Sequence, residues 1–301
     1  MEWKLIEEES SKKVNMAERF FLGNGYLFSL GAEEEYRQIM IPAQSLAGII
    51  HAGEDGWRTF SRMPNPFHMS IADEKYSIFG TKPLHHKKEL DCRHGVLFRQ
   101  SVWETAEGKF TVTSERFLSR RHLHAALMRY RIQADFPTEI VLRSGIDTSG
   151  ENEPECEYEE LRGEAGAPTV LKVVSKEGAL SLMEAVVFPE AESQWTKQGQ
   201  EGLMRHLKFQ AEAGREYEVT KYVTGYLRQD TELYNIKNTE LMEELLRNGY
   251  EKERSDHCAI WDSLWEADTE ELRFLKPEEF GDRLLYSRYL IKCIKGRKTY
   301  G

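Results

Sequence analysis

Leu123-His124-Ala125-Ala126-Leu127-Met128-Arg129-Tyr130-Arg131-Ile132 is apolar on both faces at its centre. A strand with that pattern sits in the middle of a sheet and is covered from both sides. Upstream, Val96 to Trp103 and Phe110 to Phe117 are separated by Glu107-Gly108-Lys109, which predicts a hairpin. Further upstream, Phe20-Phe21-Leu22 and Tyr26-Leu27-Phe28 flank Gly23-Asn24-Gly25, a turn whose residues tolerate positive φ. Downstream, Glu139 to Leu142, Val170 to Val174 and Leu180 to Phe188 continue the series. Leu203, Leu207 and Phe209 then alternate against His206, Lys208 and Gln210, and Tyr217, Val219, Lys221 and Val223 share another face. No helical pattern intervenes, so a parallel α/β fold is excluded. The expected fold is mainly β: a large antiparallel β-sandwich followed by C-terminal α-helices.

The pattern changes after about Gln229. Asn238 can cap a helix through Leu241, Leu245 and Leu246, with Gly249 as its stop. His257, Ile260, Trp261, Leu264 and Trp265 form one stripe of a second helix. A third starts at Pro277, with Glu278 and Glu279 at the positive end of its dipole. It carries Phe280, Leu284, Leu285, Tyr289 and Ile291. The expected division is 1–229 for the sandwich and 230–301 for a helical segment. Asp147 to Pro168, rich in Glu, Gly and Pro, reads as a long surface excursion.

The 301 residues carry 41 Lys plus Arg against 51 Asp plus Glu, a net charge of −10, which opposes phosphate-backbone binding and argues against a nucleic-acid partner. No apolar run reaches about 18 residues, so no membrane-spanning helix is expected. The N-terminus is acidic and lacks a signal peptide's apolar stretch. Cys92, Cys156, Cys258 and Cys293 are widely spaced, without a CxxC pair. The expectation is a cytoplasmic protein with free thiols.

Gly23-Asn24-Gly25 lacks the GxGxxG spacing and the following helix of a phosphate loop, so a turn is the better reading and no cofactor is implied. His122 and His124 would share one strand face, a spacing metals can use, but no third ligand is near and no metal site is expected. His85-His86-Lys87-Lys88 reads as a solvated loop, and Glu33-Glu34-Glu35 as a solvated charge run. Trp57, Arg62 and Asn65 lie in the Gly- and Pro-punctuated loop Gly53 to Pro66. An aromatic with two polar groups is what a sugar face requires, so these three are the candidate carbohydrate-binding residues; the competing reading is that Trp57 only pins the loop. No spacing identifies a catalytic residue.

Glu18-Arg19-Phe20-Phe21-Leu22-Gly23-Asn24-Gly25-Tyr26-Leu27, followed by Gly31-Ala32-Glu33-Glu34, resembles the opening motif of glycoside hydrolase family 65, which contains maltose, kojibiose and trehalose phosphorylases. Arg62-Met63-Pro64-Asn65-Pro66, Leu90-Asp91-Cys92-Arg93 through Arg99, Ser114-Glu115-Arg116-Phe117-Leu118-Ser119 and Ser144-Gly145-Ile146-Asp147 resemble further family stretches in the same order. Trp261-x-x-x-Trp265 and Gly281-Asp282 to Leu290 resemble its linker helices. Phe28 and Leu30 stand where the family usually has Gly and Arg, the mark of a divergent member. The resemblance implies an N-terminal β-supersandwich related to galactose-mutarotase folds. In the family an (α/α)₆ barrel follows, carrying the general-acid Glu and the phosphate site; neither maps onto this sequence.

The leading expectation is therefore a non-catalytic sandwich domain of a disaccharide phosphorylase, serving as scaffold and contacting a disaccharide or glucosyl ligand. The alternatives are a mutarotase-like epimerase, with its acid drawn from His68, His94, His122, His124 or His206, and a plain carbohydrate-binding module. The apolar stripes of the last helices predict a homodimer or a separate barrel chain as partner, unless they fold back onto the sandwich.

Overall fold

The structure, a computed structural model, describes residues 3–8, 17–37, 47–52, 58–148, 156–161, 168–175, 179–199, 202–267 and 277–294. In chain order the strands begin with β1 (Lys4–Glu8), β2 (Leu22–Gly23), β3 (Leu27–Ser29), β4 (Ala47–Ala52), β5 (Arg58–Met63) and β6 (Met69–Ile71). They continue with β7 (His85–Asp91), β8 (Val96–Glu104), β9 (Lys109–Leu118), β10 (Ala125–Ala134), β11 (Thr138–Asp147) and β12 (Cys156–Leu161). The last are β13 (Val170–Ser175), β14 (Leu180–Val187), β15 (Ser193–Gly199), β16 (Gly202–Ala211) and β17 (Glu216–Leu227). Two helices follow, α1 (Tyr234–Glu266) and α2 (Pro277–Ile294).

A nine-stranded sheet has the order β1-β7-β8-β9-β10-β17-β14-β13-β12. A second sheet runs β15-β16-β11-β6, and a third β2-β3-β4-β5. Pairing is antiparallel throughout the described ladders, as in Tyr130 opposite Val219 and Leu142 opposite Leu207. β10 shows why its sequence is apolar on both faces. Met128, Tyr130 and Ile132 enter the main core with Leu142, Leu207 and Phe209 of the second sheet. Ala125 and Leu127 face the other way, into a cluster with Phe117, Met183 and Tyr222 that Leu241, Met242, Leu245 and Tyr250 of α1 cover. The strand starts at Ala125, two residues later than the sequence suggested, because Ser119 to His124 make a turn closed by Ala125 N–H to His122 O.

The glycine readings at the turns and the helix break correspond to observed backbone. Gly25, in the turn between β2 and β3, has φ 91°, and Gly108, between β8 and β9, has φ 144°. Gly249 has φ 74° and ψ 166° inside α1, so the helix breaks there and resumes. Three expectations need correction. Asn238 is not a cap: the helix begins at Tyr234, and the buried Asn238 donates its amide to Ser181 O at 3.0 Å. The excursion Asp147 to Pro168 contains a strand, β12, paired with β13 at the end of the large sheet. His85-His86-Lys87-Lys88 is the start of β7 rather than a loop.

Candidate functional site

The helices meet the sandwich around Arg120. Its Nη1 donates to Asn24 O at 2.8 Å, its Nη2 donates to Lys292 O in the last turn of α2, and its guanidinium lies 4.6 Å from the centroid of the Trp261 ring. One side chain thus joins the β2–β3 turn to both helices. A guanidinium also suits the negative end of a helix. Asn24 prepares that turn. Its Oδ1 accepts from Tyr26 N (3.0 Å) and Leu27 N (2.7 Å), and its Nδ2 donates to Ser119 O (2.8 Å) and Leu123 O (2.9 Å). Every hydrogen-bonding position of the buried amide is used. The Tyr26 hydroxyl donates to Asp230, just past β17.

His257 completes the junction. Its Nδ1 accepts from Arg120 N at 3.1 Å, so its Nε2 carries the proton and donates to His94 O at 2.6 Å. Burial, reinforced by Arg120, lowers its pKa to about 3, and the ring is neutral. Trp265 Nε1 donates to Arg93 O (2.6 Å), and Tyr289 OH donates to Phe21 O (2.8 Å). Trp261, Tyr289 and Cys293 are fully buried here. The apolar stripes therefore fold back in part: Trp261 and Tyr289 face the sandwich, while Ile291 and Ile294 stay exposed. The side chains of Phe280, Leu284 and Leu285 lie outside the described residues.

The acidic run is not solvated. Glu33, Glu34 and Glu35 are buried between β7, β8 and β9. Glu33 pairs with Lys88 (2.9 Å), Glu34 with Arg99 (2.5 Å) and Arg116 (3.2 Å), and Glu35 with Arg99 through two contacts (2.6 and 2.8 Å). Burial alone would raise all three carboxyls. Lys88 and His86 hold Glu33 well below the usual range, and Arg116 and Arg99 bring Glu34 to about 2. Glu35 goes the other way, raised by burial and by its neighbour Glu34 against the pull of Arg99.

Asn65 belongs to the same plug. It is buried, donates to Tyr36 O (3.2 Å) and accepts from Phe67 N (3.0 Å), so its amide closes a loop. The stretch Gly53 to Pro66 is not a loop throughout: Arg58–Met63 form β5, which pairs with β4, and Arg62 is exposed on it, opposite Gly48. Trp57 lies outside the described residues. The structure thus parts Arg62 from Asn65 in exposure.

The histidines are dispersed. His122 and His124 precede β10 instead of sharing its face: His122 faces Glu244 and Glu253 of α1 at 3.5 Å, and His124 stacks on Tyr226 with centroids 3.7 Å apart. His94 pairs with Asp91 at 2.8 Å, which raises its pKa. His68 is buried, and burial lowers it to about 4. His206 stacks beside Trp195. Among the described residues no group of three or more His, Cys, Asp or Glu is placed to hold a metal. Sequence reasoning missed Arg120 because a lone arginine after a strand carries no pattern. It missed the acid plug because its cations lie more than fifty residues away.

Fold and junction together define a β-sandwich domain built to carry a helical element. The sequence profile of the glycosyl hydrolase family 65 N-terminal domain matches residues 5–264, and the chain belongs to that family. It is 28% identical to a nigerose phosphorylase of Lachnoclostridium phytofermentans, covering 99% of this chain and 43% of that protein. It is 25% identical to a 1,2-alpha-glucosylglycerol phosphorylase of Bacillus selenitireducens, covering 87% and 35%. A solved structure assigned as a kojibiose phosphorylase, from the human microbiome, superposes with a TM-score of 0.70 at 17% identity, over 88% of this chain and 38% of that one. The chain thus spans less than half the length of these relatives. No helix among the described residues is long and apolar enough to cross a membrane.

Proposed function

We propose that this chain is the non-catalytic N-terminal domain of a disaccharide phosphorylase, with residues 1–229 as the scaffold and 230–301 as the linker that carries a catalytic barrel. The observation behind this reading is the Arg120 junction. It fastens both helices to the sandwich through buried and part-buried hydrogen bonds. That arrangement fixes the direction in which a following domain leaves. Four widely spaced cysteines without a CxxC pair suit a reducing, cytoplasmic setting. Arg62 on β5, with Trp57 and Asn65 near it in sequence, is the proposed contact for a glucosyl ligand.

The test is chemical. Incubated with inorganic phosphate and nigerose, kojibiose, maltose or trehalose, the isolated chain releases no glucose 1-phosphate above a mock preparation, because glycosyl transfer needs a positioned acid. Turnover would overturn the assignment as non-catalytic. The partner is the barrel, in the same chain or another, or a second copy of this chain, contacting Leu233, Ile236, Ile291 and Ile294, all about half exposed. Light scattering should show association that Ile291→Glu with Ile294→Glu abolishes. A strict monomer, unchanged by the pair, refutes the second-copy version.

A further inference from the structure

Gly249 breaks α1 into two arms, and the second arm, residues 250–266, is seated on the turn that joins β7 to β8. The backbone of that turn receives the arm at two points. His257 Nε2 donates to His94 O (2.6 Å) and Trp265 Nε1 donates to Arg93 O (2.6 Å). Gly95, at φ 62°, lies so close under Trp261 that a Cβ there would meet the indole ring at 2.8 Å, so only glycine fits beneath the arm.

The side chains at this contact form a titratable bridge. His94 Nδ1 lies 2.8 Å from Asp91 Oδ2 in the turn, and His94 Nε2 lies 3.4 Å from Asp262 Oδ1 on the arm. A neutral imidazole has one donor and one acceptor, so one of its nitrogens would turn a lone pair toward a carboxylate; the imidazolium satisfies both. Asp91 is held in place by Arg93 N (2.9 Å) and His94 N (3.3 Å), which donate to its Oδ1. Arg93 gives Nε and Nη2 to Asp262 Oδ1, both at 2.8 Å. With His94 charged, two cations face two carboxylates; once it loses the proton, Arg93 alone remains against both.

Each neighbouring element adds a cation with a partner of its own. Lys4, opposite Asp91 in the β1–β7 ladder, pairs with Glu89 (2.8 Å), and Arg254 of the arm pairs with Glu115 of β9. Lys292 of α2 donates to Leu264 O (2.7 Å), and Arg120, beside His257, donates to Asn24 O. His257 is neutral and burial pushes the Cys258 thiol up, so neither contributes charge. We propose that the β7–β8 turn is a proton-operated clamp: charged His94 joins Asp91 to Asp262 and seats the second arm of α1, and loss of the proton loosens it. The His94 side chain is 24% exposed and that of Asp262 38%, so the proton exchanges directly with solvent. Asp91, and then Asp262, raise His94 above the ordinary 6.5. The clamp is therefore complete below 6.5 and is lost as pH rises through the raised value, opposite in sign to the effect of His257. It goes beyond the proposed scaffold role and holds whether or not a catalytic barrel follows.

Hydrogen exchange of the full chain between about pH 6 and about pH 8.5, expressed as protection factors, tests it, with an NMR titration of His94 alongside. Amides of residues 250–266 should lose roughly two- to fivefold protection over that range, the worth of a part-exposed ion pair, while those of β10 keep theirs. His94→Gln keeps a donor for Asp91 without the charge and should make the profile flat. Asp262→Asn should lower the titration point of His94 without returning it to 6.5, because Asp91 remains. His94 titrating at or below 6.5 in the unmodified chain, protection of the arm that does not change with pH, a change that persists in His94→Gln, or a titration point indifferent to Asp262→Asn would each overturn the proposal.

Discussion

Replacing Arg99 by Met should be among the most damaging single changes in the sandwich. Arg99 gives Nη1 to Glu34 (2.5 Å) and Glu35 (2.6 Å), Nη2 to Glu35 (2.8 Å) and Nε to Ser101 (2.9 Å), all fully buried. Without it, three carboxylates are left with Lys88, Arg116 and the His86 ring. Glu35 is the one that yields, since burial and Glu34 already push its pKa up. The ordinary glutamate value is 4.5. At about pH 7 that is about 2.5 units away, and at about 1.4 kcal/mol per unit, protonating one buried carboxylate costs at most about 3.5 kcal/mol, less the part that the wild type, whose carboxyl is already raised, also bears. That ceiling falls within the roughly 3–5 kcal/mol typical of breaking a buried ion pair. In the variant the folded Glu35 has a pKa above its unfolded one. The deficit is therefore largest at neutral pH and shrinks as pH falls toward 4.5, where the unfolded chain takes up the same proton. Urea denaturation across that range measures it, and adding Glu35→Gln should restore much of the loss. A deficit below about 1 kcal/mol at neutral pH, or one that does not change with pH, would show that water already solvates the cluster.

His257, held near 3 against an ordinary 6.5, makes the fold acid-sensitive. Between those values the unfolded chain binds the proton and the folded one does not, so stability falls by up to about 1.4 kcal/mol per unit as pH drops. The urea midpoint should follow that slope, and His257→Gln should flatten it. Gly249→Ala isolates a backbone cost: its φ of 74° and ψ of 166° suit glycine alone, yet an added Cβ would meet nothing within 4 Å. A thermal melt should register about 1–3 kcal/mol of destabilisation; no change would mean that the break in α1 relaxes freely.

What could be read from the sequence follows from where the signal lies. Strands between Val96 and Val223 other than β12 and β15 were legible because their inward positions are apolar at period two, whereas β15 is exposed almost throughout. The acid plug was hidden, although a clue was present. Lys88, Arg99 and Arg116 fall in phase with the inward Leu90, Leu97 and Leu118, and inward cations require buried anions. β12 escaped because an edge strand faces water and loses its alternation: Glu157, Glu159 and Glu160 are all exposed. His122 and His124 were misplaced because the turn before β10 is set by Ser119 Oγ accepting from His122 N, a contact without a sequence marker. Of the candidate sugar-contact residues, Arg62 was placed on the surface by its own charge, whereas the fate of Asn65 depended on Tyr36, twenty-nine residues away.

Buried charges are poor sources of net stability, because desolvation offsets most of their attraction; what they can supply is uniqueness of arrangement. Both charged assemblies here tie together segments that are distant in sequence. Glu33 to Glu35 tie an irregular stretch across three strands, and Arg120 ties the β2–β3 turn to Lys292 at the end of α2. A leucine in place of Arg120 could bury equal area and still let the helices slide, since dispersion has no preferred direction. Directional bonds to two backbone carbonyls do not allow this. With Trp261 and Tyr289 committed to the sandwich, the side of α2 that bears Ile291 and Ile294 has one orientation toward whatever packs against it. That fixed orientation is what the proposed place ahead of a catalytic barrel would require.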